Sequence, residues 1–226
     1  MRRLSEAEAL ARLQRGKAAF QTHVKLNFEH RAVDCRACPT PGACCTDAHF
    51  VNVNITRLEA VAIRETIRRT PRLTEDERRA VYSRAREAVG RYGLTASGDT
   101  FARSFACPLF VRGVGCLVHR RAKPAPCIQH ACYKDWADMP PLDSQWREER
   151  RVEQLNAGVY GAAWEWLPLP LWLTLVDPDS DGAELRRLAR VWESRRAHEK
   201  NGMSRAPGDV RRRTQVKNRT LPVLRA

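Results

Sequence analysis

The chain has no cysteine before position 35 and none after position 132. It has no run of about 18 apolar residues, the minimum expected of a membrane-spanning helix. Its longest apolar run, Leu167 to Val176, is interrupted by Pro168 and Pro170. The opening residues Met1-Arg2-Arg3-Leu4-Ser5-Glu6 lead straight into charged helical sequence with no apolar centre, so no secretory leader is expected. No internal repeat, helix-turn-helix pattern or aromatic RNA-binding motif is found. Acidic residues are few, with 26 Asp and Glu against 40 Lys and Arg, which gives a net charge of +14. These absences predict a cytoplasmic protein with no membrane segment. In a reducing compartment, disulfides are not the expected fate of its cysteines.

What is present can build a core. Hydrophobic residues make up 43% of 226 positions, so the chain does not need cross-links in order to fold. The charge is uneven. Residues 200–226 carry eight Lys and Arg against Asp209 alone, which is half of the net charge. Residues 1–199 are expected to form a single helical domain, with a cysteine-cluster core at about 30–135. Residues 200–226 are expected to be a basic, disordered tail suited to an acidic protein or a nucleic acid.

Three capping boxes mark helix starts: Ser5 with Glu8, Thr56 with Glu59, and Thr74 with Glu77. Leu10, Leu13, Ala18, Phe20 and Val24 predict an amphipathic helix over 5–30. Thr56 opens a second helix running towards Arg69, and Thr74 a third over about 75–91 that stops at Gly93. Phe50 to Ile55 alternates apolar and polar residues like a half-buried strand. Leu109 to Val118, with Gly113 and Gly115 at its turn, predicts a β-hairpin. Lys123 to Cys127 carries two prolines and is expected to be extended, with a short helical turn over Cys127–Cys132. A further helix is expected over 143 to about 166, with Trp146, Val152, Leu155 and Tyr160 on its apolar face, and a last one over 183–198. The fold class is thus mainly α with a small β-hairpin, an irregular cysteine-rich core being flanked by amphipathic helices.

The eight cysteines, Cys35, Cys38, Cys44, Cys45, Cys107, Cys116, Cys127 and Cys132, are the chemistry-bearing set. Thiols grouped this way serve disulfides, metal or iron–sulfur sites, or redox catalysis. Cys35-x-x-Cys38 is the usual zinc half-site, because two thiolates three apart reach one ion, and iron–sulfur clusters use similar loops. Pro39, Pro41 and Gly42 give the 35–45 segment the turns that let sulfurs converge. The adjacent pair Cys44-Cys45 is less usual, since neighbouring side chains diverge; two centres, or one thiol left out of the ligand set, with Cys45 the first candidate, would account for it. The spacing of the later four is loose, but a hairpin would bring Cys107 near Cys116. All eight are candidate metal ligands, for zinc or for iron, including an iron–sulfur cluster. His49, His119 and His130 lie near cysteines in sequence and are read as surface or hydrogen-bonded histidines. Asp177, Asp179 and Asp181 begin like a calcium loop, but the required twelfth-position Glu falls at Leu188, which excludes that reading.

Cys35-x-x-Cys38, Cys44-Cys45, Cys107-Pro108-Leu109, Gly115-Cys116-x-Val118 and Pro124-x-x-Cys127-x4-Cys132 together resemble the CxxCxxCC proteins of bacteria and archaea, described as zinc- or iron-chelating cysteine-cluster proteins. The resemblance covers about residues 30–135. It departs from the family pattern in the five residues between Cys38 and Cys44, and in His119, Lys123 and Ile128. It implies metal binding by the eight cysteines. Through the related flagellin lysine-N-methylase, it also implies an iron–sulfur-dependent methyl transfer as an alternative activity. A nucleic-acid-associated protein with a structural metal site is the third reading. The sequence names no catalytic residue.

Overall fold

The structure is a computed structural model that describes residues 3–33, 40, 42–46, 52–119, 121–130, 132–133, 135–161 and 166–202. Cys35, Cys38, His49, Trp164 and the basic stretch after residue 202 lie outside the described residues. The described chain is mainly helical, with eight α-helices and three two-stranded antiparallel ladders.

The three capping boxes form as the sequence predicts. They start α1 (Glu6–Asn27), α3 (Arg57–Arg69) and α4 (Glu75–Tyr92). In each, the cap hydroxyl accepts the backbone N–H three residues on, and the glutamate there accepts the cap's own N–H, so two orphan donors are satisfied at once. Helix α4 ends where Gly93 takes a left-handed conformation, φ 59°. Helix α3 is the centre of the core, with Leu58, Val61, Ala62, Ile63 and Ile67 all buried. Its first turn gains a cap from another helix: the Leu58 N–H donates to Asn156 Oδ1 over 3.0 Å. Asn156 belongs to α6 (Leu142–Tyr160). One set of buried side chains runs from Ala9 to Trp192, including Phe105 and Trp172.

Prolines are placed differently from the expectation. Helix α5 (Ala125–Gln129) contains Pro126, and α7 (Leu169–Leu175) contains Pro170. Both prolines sit in the first helical turn, where a missing N–H costs no hydrogen bond and φ is already helical. The 123–127 segment is therefore partly helical rather than extended, and the apolar run 167–176 is a buried helix. Just before it, β6 (Leu167–Pro168) pairs with β2 (Asn54–Ile55). Helix α6 stops at Gly161, φ 83°, short of the expected 166. Trp146 on that helix is exposed. The last helix, α8 (Ala183–Gly202), runs slightly past the expected end. Trp172 and Trp192 tie α7 to α8, with ring centroids 6.0 Å apart. Asp177 is occupied by the Arg86 guanidinium and by the Asp179 N–H.

The buried stripe of α1 is Ala9, Leu13, Gly16, Lys17, Phe20 and Val24, and Ala18 faces solvent. The inclusion of Lys17 is unusual, because a buried ammonium needs a partner. Its Nζ donates to Glu59 Oε1 over 2.8 Å, both side chains being no more than 3% exposed, and to the Lys123 carbonyl over 2.9 Å. The other oxygen of Glu59 closes the Thr56 capping box.

Breaking one side of such a pair leaves an uncompensated buried charge. The Lys17→Met variant is expected to lose about 3–5 kcal/mol of stability in urea unfolding. Adding Glu59→Gln, which keeps the capping box, should recover much of that loss. A double variant no more stable than the single one would show that the charge is not the cause.

Candidate metal centre

The cysteine-bearing segments are held together by backbone contacts. Cys44 and Cys45 lie on α2 (Ala43–Thr46), a single turn launched from Gly42. Gly42 has φ 83°, and a Cβ there would lie 1.9 Å from the Phe110 ring, so only glycine fits beneath that ring. Phe110 belongs to the predicted hairpin, β3 (Phe110–Val111) with β4 (Gly115–Cys116), and faces Cys116 in register. The decisive tie is a hydrogen bond from the Cys107 N–H to the Cys45 carbonyl, 2.7 Å. It joins the early cysteine segment to the late one. A third link is the ladder between β1 (Ala32–Val33) and β5 (Cys132–Tyr133), in which Cys132 faces Val33, two residues before Cys35.

Helix α1 braces the late segment along its length. Gln21 Nε2 donates to the His119 carbonyl (2.8 Å), Lys17 holds the Lys123 carbonyl, and Phe20 and Val24 pack with Ala125 and Ile128. Gln129, fully buried, donates to the Pro140 carbonyl. Helix α4 also reaches this segment, through Arg84, whose Nε donates to the Pro108 carbonyl over 3.0 Å. Cys127 is thereby fixed on α5, and Cys107 beside Pro108.

Five thiols have described side chains, and none of them is in a disulfide. Cys44 is exposed, while Cys45, Cys107, Cys116 and Cys127 are half-buried. Burial pushes the Cys107 thiol up, and the charges of Cys127 and Cys116 push it further. Burial likewise takes Cys127 up to about 12, against the pull of Lys123. Cys116 is raised by burial. Cys45 is raised by its hydrogen bond to Cys44, then by burial and by the charges of Cys44, Cys107 and Cys127. Receiving that hydrogen bond holds Cys44 down at about 6. The adjacent cysteines thus divide: Cys45 senses the inner thiols and Cys44 faces out, so the exposed, readily ionised thiol of the pair is Cys44 and not the expected Cys45. Cys45, Cys107 and Cys127, each opposed in ionisation by neighbouring thiols, form an array that a cation would relieve.

The donor set therefore fits a thiophilic metal in its chemistry. Among the described residues no group of three His, Cys, Asp or Glu is already gathered as ligands to one ion. His119 and His130 are exposed. Cys45, Cys107, Cys116 and Cys127 are brought into mutual influence, and Cys132 is tied by its backbone to the approach to Cys35. Among the residues that hold this set, Lys17, Gln21, Arg84 and Phe110 carried no signal in the cysteine spacing. Comparison with protein families, curated proteins and solved structures finds no match for this chain. Among the described residues no helix is long and apolar enough to cross a membrane.

The thiolate, not the thiol, is the nucleophile. In metal-free protein, Cys44 should be alkylated faster than Cys107 or Cys127 at neutral pH. Its rate should fall as the pH drops through about 6, because its depressed pKa leaves the anion in place above that point. Iodoacetamide labelling with peptide mapping checks this, and equal labelling of all five would contradict it.

Proposed function

We propose that this chain is a metal-binding cysteine-cluster protein that takes zinc or iron, including an iron–sulfur cluster. The observation that carries the reading is the Cys107 N–H to Cys45 carbonyl bond, which gathers thiols distant in sequence until they oppose one another's ionisation. The motifs shared with the CxxCxxCC proteins support it. On this reading Cys35, Cys38, Cys44, Cys45, Cys107, Cys116, Cys127 and Cys132 are the donors, enough for two all-thiolate tetrahedral sites or one cluster with thiols to spare. Residues 1–199 form one helical domain around them, in the cytoplasm.

A bound metal would supply the positive charge that lets several half-buried thiols ionise together. The chain's own part is to hold Cys45 and Cys107 side by side, keep Cys116 and Cys127 partly screened from water, and brace both segments with α1. Because the unfolded chain lacks the assembled set, metal affinity becomes folding stability.

Anaerobic purification followed by elemental analysis and an absorption spectrum tests the reading. Visible charge-transfer absorption with iron would indicate an iron–sulfur cluster, and colourless zinc-loaded protein a structural site. Protein with neither metal and eight titratable thiols would overturn the proposal. Cys116→Ser should lower hydrogen-exchange protection not only in 107–119 but also at 42–46, across the Cys107–Cys45 bond. Loss confined to the hairpin would mean that the two segments hold separate sites.

A further inference from the structure

Arg84 lies on α4, outside every cysteine motif, and reaches the late cysteine segment beside Cys107. Its Nε is taken by the carbonyl of Pro108, the residue after Cys107. Among the described residues its Nη2 is buried and has no acceptor. A buried donor without a partner is costly, so its presence calls for an acceptor that is there only in another state of the site. Cys107, bonded directly to the Pro108 that Arg84 already holds, is also the ionisable group whose anion acts on Arg84. As a thiol, Cys107 is a weak acceptor. As a thiolate it takes a charge-assisted hydrogen bond from a guanidinium, and the two-pronged fork of arginine can hold a carbonyl and a sulfur together.

We propose that Arg84 is a positioning residue of the cysteine centre, its Nη2 donating to the Cys107 sulfur once metal binding has ionised it. The inference rests on the metal reading above. One prong of the fork fixes the backbone after Cys107 and the other fixes its sulfur, so the thiolate is oriented and part of its charge is drawn off. Lys123, felt by Cys44, Cys116 and Cys127, adds a second positive charge on the same set. The surroundings therefore suit a net-anionic, all-thiolate centre.

Cobalt(II) is the probe, because its thiolate-to-metal absorption reports the electron density on sulfur. The full-length wild-type chain, Arg84→Gln and Arg84→Lys are titrated anaerobically. Wild type should take up cobalt with thiolate charge-transfer bands. Arg84→Gln should bind about tenfold more weakly, the usual effect of losing a partner that orients a ligand. Its charge-transfer bands should shift, and half-loading should require higher pH. Arg84→Lys, with one compact donor, should fall between, and it is the variant read if Arg84→Gln does not fold. A fold defect alone would lower the urea midpoint without moving the bands. Unchanged bands and affinity in Arg84→Gln, or full restoration of both by lysine, would overturn the proposal while leaving the metal reading intact. No cobalt uptake by wild type would overturn both.

Discussion

The ammonium of Lys17 is the constraint on which the architecture turns. It is removed from water, so it is tolerable only while its partners are in place. Those partners come from two distant parts of the chain: the Glu59 carboxylate on α3 and the Lys123 carbonyl just ahead of α5. Glu59 has a second duty, since its other oxygen closes the capping box at Thr56. The start of the central helix, the buried stripe of α1 and the loop leading to Cys127 therefore stand or fall together. The charges extend further. Burial raises Glu148 and Glu149 on α6, while Lys17 pulls them back and Glu59 opposes it.

Around this anchor the thiols are placed by backbone more than by side chains. Cys45 and Cys107 share a main-chain hydrogen bond, Cys116 sits in a hairpin register opposite Phe110, and Cys132 sits in a ladder opposite Val33. Main-chain ties of this kind fix position without consuming sulfur, so the thiols stay available for chemistry. The result is a polar, ionisable set set against a helical core whose apolar contacts run through α3, α4, α6 and α7.

Much of the scaffold was legible because it is written locally. The Ser5–Glu8, Thr56–Glu59 and Thr74–Glu77 boxes, Gly93 and the glycine-bearing hairpin act within a few residues, and all appear as expected. The prolines were misleading because their effect depends on position: Pro126 and Pro170 break a helix interior but begin a helix well. The burial of Lys17 and the reach of Arg84 could not be read from spacing. Each depends on a partner contributed by another part of the chain, and neither residue type signals burial. The cysteine motifs named the candidate donors, but which of them face inward was decided by the division between Cys44 and Cys45, a matter of three-dimensional neighbours.

The ladder between Val33 and Cys132 has a consequence for how the protein is made. Cys132 follows Cys35 by 97 positions in the chain. At ribosomal speeds of about 5–20 residues per second, Cys35 is synthesised roughly 5–20 s before the strand that pairs with Ala32 and Val33. During that interval α1 can form, but Lys17 has neither of its partners until Glu59 and then Lys123 follow. The nascent chain therefore carries Cys44 and Cys45 before Cys107 exists to bond the Cys45 carbonyl, so the joining of the two cysteine segments waits on the order of synthesis.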